Sequence, residues 1–195
     1  TDPAILGRYP QEALEAFGAD MPPIRTGDMK TICQPLDFCG LNIYHGAIVR
    51  AGKGGPSADV PHPVGHGMTT MEWPLAPQSL YWGPRFMWER YRKPIVITEN
   101  GMSNTDWIAT DGQVHDPQRI DFLTRYLREY RRAMADGVKA LGYFQWSIMD
   151  NFEWAMGYKR RFGLIYIDYP TGRRIPKDSA RWYQRVIATN GGILG

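Results

Sequence analysis

The run Pro94-Ile95-Val96-Ile97-Thr98 limits the fold more than any other segment of this 195-residue chain. It is uncharged and β-branched, with Pro at one end and Asn100-Gly101 just past the other. That pattern is expected of a strand covered on both faces, as in a parallel sheet. Parallel neighbours are reached only through long crossovers, usually helices, and the sequence supplies them in alternation. Leu36 to Tyr44 reads as a first strand and Leu141 to Ser147 as a third. Gln11 to Phe17 forms a short helix ended at Gly18, and Met21 to Thr26 is broken by Pro before Gly27 to Thr31. Pro77 starts a helical segment that Gly83-Pro84 interrupts, so Pro84 is expected to open a second set of turns running to Tyr91. Asp116-Pro117 opens the clearest helix. Its apolar positions Ile120, Leu123, Leu127, Tyr130 and Met134 follow three-four spacing, and Gly137 ends it. Asp178 or Ser179 caps a last helix carrying Trp182, Val186 and Ile187, stopped at Gly191-Gly192. Arg50 to Gly67, rich in Gly, Pro and Ser, reads as a long surface loop without periodicity. The alternation places the chain in the α/β class.

Two features carry chemistry. Glu99 stands where the central strand stops, and in parallel α/β folds the C-terminal strand ends build the site. Read alone, it is equally a solvated carboxylate in a turn. The stretch Gly142 to Asp168 gathers Trp146, Phe152, Trp154, Tyr158, Phe162 and Tyr166 around Glu153. A pyranose offers apolar C–H faces to indoles and hydroxyls to charged acceptors, so this mixture fits a sugar site. The bland alternative is an aromatic core cluster beside a surface turn.

Composition narrows the classes. Hydrophobic residues make up 43%, charged residues 22%, and the net charge of +3 is too small to imply nucleic acid. Lys159-Arg160-Arg161 is a short basic run, read as a solvated or anion-tolerant loop. No window of about 18 apolar residues exists, so no membrane partner is expected. Cys33 and Cys39 flank and enter the first strand, too far apart in an extended chain for a comfortable bridge. Free buried thiols and a reducing cytoplasm are the expectation. His62 and His66 are four apart, but in a Pro-Gly loop that cannot hold the helical geometry a metal pair needs; His45 and His115 have no partner spacing. No metal and no organic cofactor is expected.

Four ordered motifs carry a family resemblance: Leu36 to Tyr44 (LDFCGLNIY), Ile97 to Gly101 (ITENG), Trp146 to Trp154 (WSIMDNFEW) and Gly157 to Asp168 (GYKRRFGLIYID). Together they resemble glycoside hydrolase family 1, the β-glucosidase family. The resemblance implies a partial (β/α)8 barrel in which residues 1–195 are the C-terminal portion of one glycosidase domain. They would supply strands six to eight with their helices, since a whole barrel takes about 250 residues. The start Thr1-Asp2-Pro3 lacks an initiator Met, and the N-terminal remainder of the barrel is the expected polypeptide partner.

The implied activity is retaining hydrolysis of β-glucosides, with a β-glucoside or short oligosaccharide as substrate. Glu99 is then the nucleophile, ionised and needing hydrogen-bond donors. Tyr44 supports it, and Asn42, two residues earlier, shares that strand face. For the sugar, the resemblance implies Trp146 as stacking platform, Glu153 as acceptor from O4 and O6, Trp154 as a further contact and Phe162 as a pocket wall. Trp73 would line the leaving-group side. The family's acid/base residue belongs to an Asn-Glu-Pro triplet, which this sequence lacks. The chain alone is therefore expected to be inactive. A 6-phospho-β-glucosidase is an alternative, disfavoured because Glu153 would repel a phosphate dianion, though Lys159 and Tyr158 keep it open. A silent sugar-binding relative is another, disfavoured because Glu99 is intact.

Overall fold

A computed structural model describes residues 1–52 and 57–195. The elements run α1 (Asp2–Leu6), α2 (Gln11–Phe17), α3 (Asp28–Ile32), β1 (Cys39–Asn42), β2 (Val49–Arg50), β3 (Ala58–Asp59), α4 (Ser79–Tyr91), β4 (Ile95–Asn100), α5 (Pro117–Ala135), β5 (Ala140–Gln145), β6 (Ile165–Asp168), β7 (Arg173–Pro176) and α6 (Asp178–Ala188). Single-turn 3-10 helices at Gly18–Asp20, Trp154–Met156 and Gly192–Leu194 complete the set.

The organising unit is a three-stranded parallel sheet in the order β1-β4-β5, with α4 and α5 as the crossovers. On one face Ile95 and Ile97 are fully buried and belong to a single core with Leu80, Tyr81, Phe122, Leu123, Tyr126, Leu127 and Tyr130. Each such aliphatic side chain stabilises the fold by about 1.5–3 kcal/mol. Val96 is buried as well, but Thr98 and Asn42 are exposed, as are Phe38 at 46% and Phe144 at 62%. The central run is thus covered on both faces only at its start. The open face and the outer edges of β1 and β5 have no strand partner among the described residues.

The first strand shortens at both ends, to Cys39–Asn42, while the third starts one residue early and stops two residues early, at Ala140–Gln145. Helix α4 runs unbroken through Gly83-Pro84, where two sets of turns were expected. Pro84 removes one intrahelical bond, but Leu80, Tyr81 and Pro84 are all buried, which holds the helix together. Gly83 packs closely on Ile43: a Cβ there would come within 2.7 Å of Ile43 Cδ1 and displace that methyl. In α5 the buried stripe is Phe122, Leu123, Tyr126, Leu127, Tyr130 and Ala133, while Met134 is exposed. Phe122 and Tyr126 stack at 3.9 Å, and the Tyr126 hydroxyl accepts the Ala76 N–H at 2.9 Å, which turns this face inward. Ile187 of α6 is likewise exposed.

The cap of α6 is Lys177, neither Asp178 nor Ser179. Ser179 instead donates to Asp116 at 2.5 Å. Two antiparallel pairs were not foreseen. β2 and β3 pair within the Arg50–Gly67 segment, whose residues 53–56 lie outside those described. β6 and β7 form a hairpin closed by a turn in which Thr171 donates to Asp168 at 2.5 Å. Both cysteines are free thiols, Cys39 buried and Cys33 only half-buried.

Candidate active site

The C-terminal ends of β1, β4 and β5 are tied together by Asn100. Its side chain is fully buried, donates to the Ile43 carbonyl at 2.8 Å and accepts from the Tyr143 hydroxyl at 2.7 Å. Its own carbonyl accepts the Trp146 N–H at 2.8 Å, while Ile43 N–H reaches the Glu99 carbonyl at 2.9 Å. These bonds pair the buried Asn100 side chain with both neighbouring strand ends and fix their relative positions. Gly101 is obligatory at this junction, because a Cβ would lie 1.9 Å from the Trp146 carbonyl oxygen.

On that platform the Tyr44 hydroxyl donates to Glu99 Oε2 at 2.7 Å. Burial, followed by the bond to Glu99, pushes the Tyr44 phenol far above its ordinary range, so it remains a donor. The Tyr44 ring stands 5.1 Å from Trp73 and 6.2 Å from Phe162, and Trp73 and Phe162 are 6.1 Å apart. The carboxylate is therefore flanked by one cluster of three aromatic rings. His45 packs on Trp73 at 5.5 Å, a neighbour the sequence did not flag.

Glu153 lies on the loop after β5. Burial raises its carboxyl above the ordinary value, a hydrogen bond from the Trp146 side chain pulls it down, and the charge of Glu99 raises it further. The two carboxylates thus sense each other across the open sheet end. Glu153 Oε2 is buried without a donor among the described residues. A buried acceptor left open in this way is rare unless a ligand or water satisfies it.

The remaining expected residues divide. Phe162 is buried at 1% exposure and forms a wall of the cluster. Asn42 sits opposite Glu99 in the register, and its side-chain oxygen accepts from the Thr98 hydroxyl at 2.6 Å. The register slips by one residue at Thr98 of β4, which sets Asn42 opposite Glu99 and brings it to the Thr98 hydroxyl. Trp154 is 81% exposed at the loop tip and is not drawn into the aromatic cluster. His62 and His66 stack at 4.4 Å, and His66 Nε2 lies 3.0 Å from the Leu75 carbonyl oxygen. Among the described residues no group of three or more His, Cys, Asp or Glu is placed to hold a metal ion. No helix among them is long and apolar enough to cross a membrane.

Below the loop lies a buried ionic network that sequence reading missed. Lys177 Nζ donates to Asp106 at 2.6 Å and to Asp150 at 2.8 Å, with all three side chains fully buried. Arg119 pairs with Asp106 and, at 2.9 Å, with Asp116, which also accepts from Ser179. Arg161 joins Asp150 at 2.6 Å. Three acids meet three bases, so the charges balance. Burial, and next the nearby Arg119, pull the Lys177 ammonium down from its ordinary value.

The sequence profile of Glycosyl hydrolase family 1 matches residues 1–192. The chain belongs to that family. Beta-glucosidase A of Thermotoga maritima is 40% identical over 197 residues, covering 97% of this chain and 43% of the relative. A bifunctional beta-D-glucosidase/beta-D-fucosidase of Bifidobacterium breve is 40% identical over 207 residues, covering 96% and 45%. The solved structure of the Thermotoga maritima beta-glucosidase in complex with glucoimidazole superposes with a TM-score of 0.89 at 39% identity, over 97% of this chain and 43% of that one. The chain spans under half the length of these family 1 relatives. Its three parallel strands and their helices are a segment of the (β/α)8 barrel of those enzymes.

Proposed function

We propose that this chain supplies the nucleophile and the sugar-recognition loop of a retaining β-glucosidase. The observation that carries this reading is the Tyr44–Glu99 hydrogen bond, set among Trp73 and Phe162, with an unpartnered Glu153 oxygen nearby. In the proposed reaction Glu99 attacks the anomeric carbon of a terminal β-glucosyl residue and forms a covalent glycosyl ester. A carboxylic acid about 5–5.5 Å away protonates the departing oxygen and then activates water to release the sugar. The Tyr44 O–H holds one carboxylate oxygen of Glu99 and orients the group for this attack. Glu153 accepts from the O4 and O6 hydroxyls, Trp146 stacks on the sugar face and Phe162 walls the pocket. Trp73 faces the leaving group, while Asn42 and the exposed Trp154 contact sugar at the rim. No metal or organic cofactor enters these steps.

The acid/base group belongs to an N-terminal complement of the barrel. This is supported by the share of the relatives that the chain spans and by the apolar groups at the open sheet, Leu141, Phe144 and Ile148, each more than half exposed. Residues 1–195 are then the C-terminal portion of a single barrel domain, and the chain alone turns over no glycoside. An unphosphorylated glycone is favoured over a 6-phosphosugar. The raised, half-buried Glu153 carboxyl faces the sugar, whereas Lys159 is exposed at the loop. The intact Glu99 favours an enzyme over a silent binding relative. The two free thiols fit a reducing compartment such as the cytoplasm.

The test joins the chain to its complement and treats the assembly with a 2-deoxy-2-fluoro aryl glucoside. Glu99 should carry the trapped sugar, and Glu99→Gln should lower turnover by several orders of magnitude with sugar binding retained. An unlabelled Glu99, or a loss under tenfold, would refute the assignment. Faster hydrolysis of the aryl glucoside 6-phosphate than of the glucoside would reverse the glycone assignment.

A further inference from the structure

The loop that carries Glu153 and Trp154 runs through residues 151–160, and its two ends meet in an ion pair. Asp150 precedes the loop and Arg161 follows it, and Arg161 Nη1 stands 2.6 Å from Asp150 Oδ2. Asp150 is 4% exposed and accepts from four donors: Arg161, Lys177 Nζ at 2.8 Å, Gly163 N–H at 3.0 Å and Ile167 N–H at 3.4 Å. The Arg161 guanidinium also donates to the Ile167 carbonyl at 2.9 Å and lies over the Tyr166 and Tyr169 rings at 4.0 and 4.6 Å. Its backbone carbonyl accepts from Asn104 N–H and from Arg119. Gly163 has no space for a side chain, since a Cβ would meet Asp150 N at 2.1 Å. The neck of the loop is therefore pinned from below, from the side and along the chain.

The tip contrasts with the neck. Phe152, Trp154 and Tyr158 are exposed at 57%, 81% and 58%, and Glu153 N–H bonds only within the loop, to the Gly157 carbonyl at 2.7 Å. Beyond the Trp146 side chain that reaches Glu153 and the Tyr158–Tyr169 contact at 4.7 Å, the acceptor takes its place from the ends of the segment.

We propose that the Asp150–Arg161 pair is a positioning clamp that sets glycone specificity by fixing Glu153 and Phe162 relative to Glu99. The clamp rests on the proposed role of Glu153 as acceptor from the sugar. Arg161 touches no reacting atom and acts through the loop it closes. Phe162, the next residue, shares its restraint and walls the Glu99 cluster. Recognition groups must be held within about 0.5 Å of their productive places, so loosening the neck should blunt discrimination before it stops chemistry.

The experiment uses the chain joined to its N-terminal complement and compares kcat/KM for an aryl glucoside with that for the matching aryl xyloside, which lacks the C6 hydroxymethyl. Arg161→Gln suits the purpose, because Asp150 keeps Lys177, Gly163 N–H and Ile167 N–H as donors, and Tm measured alongside separates the clamp from the lost charge balance. It should cut the glucoside-over-xyloside preference about tenfold with xyloside turnover nearly unchanged, and Arg161→Lys should restore part of the preference. Glu153→Gln serves as reference and should also cut the preference. If Glu153→Gln cuts it and Arg161→Gln does not, the clamp is refuted while the reading of Glu153 stands. If Glu153→Gln leaves the preference intact, that reading fails and the clamp falls with it. Equal loss on both substrates, in Arg161→Gln and Arg161→Lys alike, marks a general structural role and also overturns the proposal.

Discussion

Replacing Tyr44 with Phe removes one atom from the site and little else. The ring contacts to Trp73 at 5.1 Å and Phe162 at 6.2 Å survive, so the cluster beside Glu99 keeps its shape. What disappears is the hydroxyl that donates to Glu99 Oε2 at 2.7 Å. A hydrogen bond to a charged partner contributes about 1.5–3 kcal/mol. If its orienting effect is realised in the attack step, that range corresponds to a loss of about 10- to 150-fold in rate. The assay is the rate at which a 2-deoxy-2-fluoro aryl glucoside inactivates the assembled enzyme, since this reports the attack of Glu99 alone. Competitive inhibition by glucose, measured in parallel, reports ground-state sugar binding and should change less than threefold. A fall in inactivation rate below threefold would show that the hydroxyl does not serve the nucleophile. An equal fall in rate and in glucose binding would show that the cluster had been damaged as a whole, and the reasoning would fail on that result too.

Three further outcomes are expected. Gly101→Ala places a methyl 1.9 Å from the Trp146 carbonyl oxygen, and should cost about 1–3 kcal/mol of stability, read as a lowered denaturant midpoint together with lost activity. Lys177→Met leaves Asp106 and Asp150 each short of a buried partner and should cost about 3–5 kcal/mol, seen as a fall in Tm; an unchanged Tm would show that Arg119 and Arg161 suffice. His115 lies between Asp178 at 2.6 Å and Asp111 at 3.0 Å, and the Asp178 bond followed by the Asp111 bond raises its pKa above the ordinary value near 6.5. Because the folded value is the higher one, this stabilisation is fully present below about pH 6.5 and fades as pH rises through the raised value. Tm should therefore decline across that interval more steeply than in His115→Gln, and identical profiles would remove His115 from the account.

Much of this was legible in the residues themselves. The central strand, the helix from Pro117 and the end-of-strand position of Glu99 followed from an apolar run, a helical period and turn residues acting locally. Tyr44 was tied to Glu99 through family resemblance, and the 2.7 Å bond agrees with that pairing. The misses have physical causes. Pro84 reads as a breaker, but burial of its helix face outweighs one missing hydrogen bond. Asn42 is expected beside Glu99, but its side-chain oxygen is occupied by the Thr98 hydroxyl, a cross-strand contact that no local pattern encodes. Asp106, Asp116, Arg119, Asp150 and Lys177 are scattered over 72 positions of sequence and look like ordinary surface charges. Only the fold brings them to one buried point, and no periodicity encodes such a meeting. Asp178 and Ser179 both read as caps for the last helix, whereas the Ser179 hydroxyl donates to Asp116 at the start of another.

The buried ionic network also bears on how the barrel is divided. Asp106, Asp116, Asp150, Arg119, Arg161 and Lys177 all come from this chain, and their charges cancel without outside help. Electrostatically the floor of the loop is self-sufficient, so the proposed N-terminal complement would supply backbone pairing along β1 and β5 and cover for groups such as Leu141 and Phe144. Reassembly governed by such seams should tolerate high ionic strength, because added salt screens charges and leaves apolar contact intact.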